Sequence, residues 1–127
     1  MGFKSKKPYD DLPFLFQATS KIIRFTDRRD PEPRSRELFW FYKPEFLNEL
    51  FKKEKTLRQR LLEMPSLNIE NLRECQIDAI TGLEKSLAVQ QPRSLIHMAT
   101  GAGKTFTAIS SVYRLLKFAK AKRILFL

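Results

Sequence analysis

The stretch from His97 to Ala108, HMATGAGKTFTA, constrains this chain more than any other. An apolar run without alternation, RSLIHMA, leads into it. A helical pattern follows, with Phe106, Ile109, Val112, Leu116 and Ala119 striping one face up to about Ala119. A second continuous apolar run, KRILFL, comes next. Runs of that kind read as parallel strands covered on both faces. Strand, glycine-rich loop, helix and strand in that order open a βαβ unit.

The loop itself fits G-x-x-x-x-G-K-[ST] set between a strand and a helix. Gly103, Lys104 and Thr105 supply its end, and Met98 stands where the first glycine would be. Gly101 and Gly103, with Thr100 and Ala102 around them, let the backbone turn its N–H groups inward as an anion nest. The helix that starts there aims its positive end at the same point. In such a loop Lys104 reaches the β- and γ-phosphates and the Thr105 hydroxyl ligates Mg²⁺. ATP and Mg²⁺ are therefore the expected cofactors, with Lys104 the catalytic side chain. The expected fold class is α/β: the start of a P-loop NTPase, RecA-like parallel-sheet domain, incomplete in 127 residues, preceded by a small β-hairpin and helical connector. A glycine-flexed turn with a chance Lys-Thr is the alternative.

Charge agrees with a polyanion partner. Lys plus Arg is 24 against 14 Asp plus Glu, a net +10. No acidic residue follows Glu84, so the loop lies in the electropositive end. Cys75 is the only cysteine, which excludes an internal disulfide and makes a reducing cytoplasm the expected location. No apolar run approaches the roughly 18 residues of a spanning helix. The opening MGFKSKKPYDD leads into no apolar signal region, and Lys6 breaks the myristoylation pattern. A soluble protein without a membrane partner is expected.

Upstream, LPFLFQATSKIIRFTD reads as two strands joined at Ala18-Thr19-Ser20-Lys21. RRDPEPRSR is a loop, because two prolines and a charge cluster exclude regular structure. ELFWFY, Glu37 to Tyr42, reads as a short strand, and Pro44 suits a first helical turn. Phe46, Leu47, Leu50, Phe51, Leu57, Leu61 and Leu62 give two short helices or one interrupted helix, ended by Pro65. SLNIEN is a linker. LRECQIDAITGLEKSLA is a helix with Leu72, Ile77, Ile80, Leu83 and Leu87 on one side. The expected units are residues 1–43, which hold the hairpin; 44–70, a helical linker; and 71–127, the N-terminal part of the ATP-binding domain.

Met98 to Thr105 also resembles A/M-x-T-G-x-G-K-T, the loop of the superfamily 2 helicases and translocases. That branch carries an upstream glutamine on the adenine edge, in a segment resembling L-R-x-Y-Q-x-x-A-I. LRECQIDAI places Gln76 there, with Arg73 before it and Cys75 in place of the aromatic residue. MATGAGKTFTAISSVYRLLKFAKAKRILFL, PFLFQATSKIIRFTD and RSRELFWFYKPEFL together resemble the R subunits of type I restriction enzymes over nearly the whole chain. Ser20-Lys21 replaces that family's frequent Asn-Gly turn, and Tyr42-Lys43 its frequent His before Pro-Glu. The resemblance implies an ATP-driven translocase fused to an endonuclease, acting on double-stranded DNA beside methyltransferase and specificity subunits. It implies adenine contact by Gln76 and nucleotide contact by Arg73. It also makes residues 1–43 the end of a nuclease-like region and connector, and places the nuclease cluster before Met1 and the Asp-Glu box and second motor domain beyond Leu127. The 127-residue chain alone is then expected to lack ATPase turnover. The rival readings are a truncated, non-enzymatic remnant that binds nucleotide or DNA weakly, and another P-loop enzyme such as a small kinase.

Four further signals have two readings each. Phe39 to Tyr42, with Arg34, Arg36 and Lys43, could stack single-stranded bases, but an aromatic core strand is preferred. Lys117, Lys120, Lys122 and Arg123 suit DNA phosphates and a helix C-terminus equally. His97, the only histidine, is expected in a buried strand and not on a metal. Asp10-Asp11 lacks a following Glu-x-Lys and is not read as a nuclease site.

Overall fold

Thr19 closes the first turn. Its Oγ1 accepts from the backbone N–H of Lys21 at 3.3 Å and of Ile22 at 3.1 Å, so a hairpin forms without glycine or asparagine. The computed structural model describes residues 12–67 and 70–127. The paired acid Asp10-Asp11 and the opening segment lie outside the described residues, as does part of the SLNIEN linker. The chain divides into two compact units, one running to Glu54 and the other from Lys55 to Leu127.

The first unit is an antiparallel sheet with one helix. Strands β1 (Phe14–Ala18), β2 (Ile23–Asp27) and β3 (Arg36–Leu38) lie in the order β1-β2-β3, with Phe16 opposite Phe25 and Ile23 opposite Leu38. Phe25 is buried, ringed by Phe14, Phe16 and Tyr42 at centroid distances of 5.8, 5.0 and 4.9 Å. Helix α1 (Pro44–Lys52) takes Pro44 in its first turn, as the missing N–H allows. Asp27 accepts from Arg29 through both carboxylate oxygens, and Arg29 Nη1 donates to Leu50 O at 2.8 Å, tying the hairpin to α1. The Asp27 hydrogen bond raises the Arg29 pKa above its ordinary value, against the opposing effect of burial.

The expected strand Glu37 to Tyr42 is cut short. Ile23 opens β2 and pairs with Leu38, so the residues after Leu38 have no partner on β2. The expected aromatic core strand is therefore corrected: Phe39 is 95% and Trp40 83% exposed, and only Tyr42 packs on Phe25.

The second unit is helical. Thr56 and Gln59 form a reciprocal capping box that starts α2 (Leu57–Leu62). The interruption between the two short helices thus has a specific cause. Helices α3 (Glu74–Ala88) and α4 (Lys104–Lys117) pack on each other, and α2 packs on α3. Leu61, Ala88 and Ala119 form the core, with Leu57, Met64, Leu87 and Leu115 against it. Arg58 donates to Leu87 O and Arg60 Nε to Ala119 O at 2.7 Å, which satisfies carbonyls at the ends of α3 and α4.

Two expectations fail here for one reason. RSLIHMA and KRILFL form no ladder; among the described residues the only sheet is β1-β2-β3. His97 is exposed, not buried. A parallel strand needs neighbouring strands, and the described residues supply none for these segments. The apolar stripes read from the sequence coincide only in part with the buried faces, at Ile80 and Ala119. Phe106, Ile109 and Leu116 are exposed, and α4 buries Thr107, Ser110, Ser111 and Arg114 instead. Helix α3 buries Gln76, Ile80, Glu84 and Ala88, while Ile77 is exposed. The two helices bury mainly small and polar residues, and leave Ile77, Phe106, Ile109 and Leu116 exposed.

These open faces carry a prediction. Alone in solution, the 127-residue chain is expected to self-associate as concentration rises, through Leu95, Ile109, Leu125 and Phe126. Sedimentation velocity checks it, and a monomer at all concentrations would contradict it.

Candidate functional site

The glycine-rich loop sits at the N-terminus of α4, and its geometry follows from two residues. Gly101 and Gly103 have φ of +76° and +80°, in the left-handed region that side chains disfavour. Ala102 N–H donates to Ala99 O at 3.2 Å, which folds the loop over. Gly103 is the N-cap of α4, and no side chain caps the helix. Its first-turn N–H groups therefore remain open to an acceptor. Lys104 and Thr105, the first two residues of α4, are exposed beside them. Thr107 belongs to the helix: its N–H and Oγ1 both donate to Gly103 O at 3.0 Å.

Gln76 and Arg73 reach the loop from the start of α3. Gln76 is buried, and its Nε2 donates to Gly103 O at 3.2 Å. Its Oε1 accepts from the Arg73 N–H at 3.0 Å at the N-terminus of α3, and the Gln76 N–H donates to the Arg73 carbonyl at 2.9 Å. Arg73 Nη1 donates to Gly101 O at 3.0 Å. The structure thus brings Arg73, Gln76, Gly101, Gly103, Lys104 and Thr105 to one place. Thr100 and Ala102 lie on the loop between them. Gln76 keeps one donor hydrogen and one acceptor lone pair beyond these bonds.

The approach at Gly103 is close. A Cβ there would stand 2.5 Å from Gln76 Nε2, whereas a Cβ on Gly101 meets nothing within 4 Å. Gly103 is required by conformation and by contact, Gly101 by conformation alone. Such an arrangement, with open N–H groups, a helix N-terminus, a lysine and a hydroxyl, can bind a polyphosphate and a cation attached to it. Neither the capping of α3 by Gln76 nor the Arg73 bond was legible beforehand, although an R-x-x-Q spacing places Gln at the third helical position. Among the described residues no group of three or more His, Cys, Asp or Glu side chains could hold a metal, and no helix is long and apolar enough to cross a membrane.

Residues 69–127 match the family described as Type III restriction enzyme, res subunit. Over 116 residues, 88% of this chain, the sequence is 37% identical to the type I restriction enzyme EcoKI endonuclease subunit of Escherichia coli strain K12, covering 10% of that protein. It is 46% identical over 52 residues, 41% of the chain, to the type I restriction enzyme EcoAI endonuclease subunit of Escherichia coli, covering 6% of it. The chain therefore spans a tenth or less of the curated relatives it matches. No solved structure shows a significant match. The similarity to type I restriction endonuclease subunits holds over most of the chain, and the loop and α3 lie in its helicase-like part.

Proposed function

We propose that this chain, similar as it is to type I restriction endonuclease subunits, carries the nucleotide-binding part of an ATP-dependent DNA motor. One observation supports the reading above the others: Gln76 joins the start of α3 to the loop through Gly103 O. A chance glycine turn would have no such brace. In this reading residues 98–105 are a Walker A loop. The open N–H groups of α4 hold the phosphates, and Lys104 contacts the β- and γ-phosphates. Gln76 offers its spare donor and acceptor to the adenine edge, so base and phosphate recognition share one side chain. Arg73 fixes the loop from the other side. Thr105 would hold Mg²⁺ through its hydroxyl, and the metal neutralises charge on the phosphates when bound.

The same reading makes double-stranded DNA and the methyltransferase and specificity subunits of a restriction-modification complex the partners, and the cytoplasm the location. A kinase is disfavoured by Met98 in the loop and by Gln76 on α3. A remnant that only binds nucleotide is the rival, and DNA-stimulated turnover by a longer protein that carries this chain separates the two.

The test is nucleotide preference. Dilute protein is titrated with ATP and with GTP, each with Mg²⁺, and followed by anisotropy of a fluorescent analogue. ATP is expected to bind more tightly. Gln76→Ala is expected to remove most of that preference, since a lost neutral hydrogen bond is worth about 1 kcal/mol, or about fivefold. Equal ATP and GTP affinities in the wild type would sink the adenine assignment.

A further inference from the structure

The interface of α3 and α4 holds a buried ion pair that nucleotide binding does not itself use. Glu84 and Arg114 are both buried. Arg114 Nε donates to Glu84 Oε1 at 2.7 Å and Nη2 to Oε2 at 3.1 Å, a two-point fork. The same Nη2 donates to Pro65 O at 2.6 Å, and the guanidinium lies over Phe118 at 5.6 Å. Burying two charges is costly, and a well-packed apolar pair of similar volume is often as stable or more so. What the fork contributes is geometry, because it accepts a carboxylate in a narrow set of orientations.

That geometry has a role at the other end of the helices. The other buried residues of α4 are Thr107, Ser110 and Ser111, and α3 buries Ile80 between Gln76 and Glu84. Small side chains of this kind tolerate more than one roll of one helix on the other. Gln76 lies on the same buried stripe as Glu84, about two turns earlier. Its bond to Gly103 O forms only if α4 keeps its roll and its axial position.

We propose that Glu84 and Arg114 are positioning residues for the loop. They seat α4 on α3 so that Gly103 meets Gln76, and Lys104 and Thr105 are presented together at the helix N-terminus. The proposal rests on the nucleotide-site reading and adds residues remote from the loop to it.

The test compares wild type, Lys104→Ala, Arg114→Lys and the double variant Glu84→Leu/Arg114→Met in the full chain. Thermal melting without nucleotide is paired with titration by Mg²⁺-ATP. The apolar pair is expected to melt at or above the wild-type midpoint yet bind ATP about tenfold more weakly, or worse. Arg114→Lys keeps the charge but loses the fork and the Pro65 bond, and is expected to melt at a lower midpoint and to bind a few-fold more weakly at temperatures where it is folded. A stable double variant with wild-type affinity overturns the proposal, provided that Lys104→Ala loses binding in the same assay. If the double variant does not fold, Arg114→Lys decides, and wild-type affinity there overturns it. If Lys104→Ala also binds normally, the nucleotide-site reading fails, and the positioning role fails with it.

Discussion

A Gly103→Ala variant is expected to lose nucleotide binding by roughly ten- to several-hundred-fold while its helices remain formed. Two costs combine. Alanine at φ +80° enters the left-handed region, at about 1–2 kcal/mol. Its Cβ would also stand 2.5 Å from Gln76 Nε2. Gln76 Nε2 ends a flexible side chain, but that side chain is buried and bonded at both ends of its amide, so moving it costs those bonds. Displacing it breaks two hydrogen bonds at about 1 kcal/mol each. The sum is of order 3 kcal/mol, or about a hundredfold. Gly101→Ala supplies the control. Nothing lies within 4 Å of its Cβ, so only the conformational cost applies and the loss should be smaller. Gln76→Ala in the Gly103→Ala background removes the clash and should recover part of the affinity. Isothermal titration of the variants checks the ranking, with circular dichroism for helix content. Equal losses at Gly101 and Gly103 would remove the argument for a tight contact.

The loop was legible because its signal is local. Glycines at positive φ, a helix start at Lys104 and exposed Lys104 and Thr105 follow from residues next to one another in sequence. The hairpin was legible for the same reason, since Thr19 closes its own turn. The paired short helices also came through, although the reason for the break, the Thr56 and Gln59 capping box, did not.

The sheet was not legible in the same way. RSLIHMA and KRILFL have the composition of parallel strands, but a ladder depends on partners that the described residues do not contain. Periodicity likewise misplaced the contact face of α4. It located the apolar stripe, whose Phe106, Ile109 and Leu116 are exposed, and missed the polar stripe that α4 buries. The Glu84–Arg114 pair lay hidden for that reason: two charges thirty residues apart look like solvated surface until both helices are placed. The aromatic run Phe39 to Tyr42 failed through register, because its partner strand starts at Ile23.

The second large effect is expected at Lys104. Its ammonium stands exposed on the first residue of α4, beside the open N–H groups. A charge-assisted contact to a phosphate is worth roughly 1.5–3 kcal/mol, so Lys104→Ala should weaken ATP binding by about ten- to 150-fold. Removing this exposed side chain leaves the core of Leu61, Ala88 and Ala119 untouched, so the melting temperature should not move. Any ATP hydrolysis by the full protein, with or without DNA, should fall further, because the lysine also faces charge that develops on the transferring phosphoryl group.

The central claim is that the loop from Met98 to Thr105 holds the phosphates of ATP. Calorimetric titration of Mg²⁺-ATP into wild type and Lys104→Ala tests it most directly. The account predicts saturable binding to the wild type and a loss of about ten- to 150-fold in the variant at an unchanged melting temperature. Equal affinity in the two proteins would show that ATP binds elsewhere, and would contradict it.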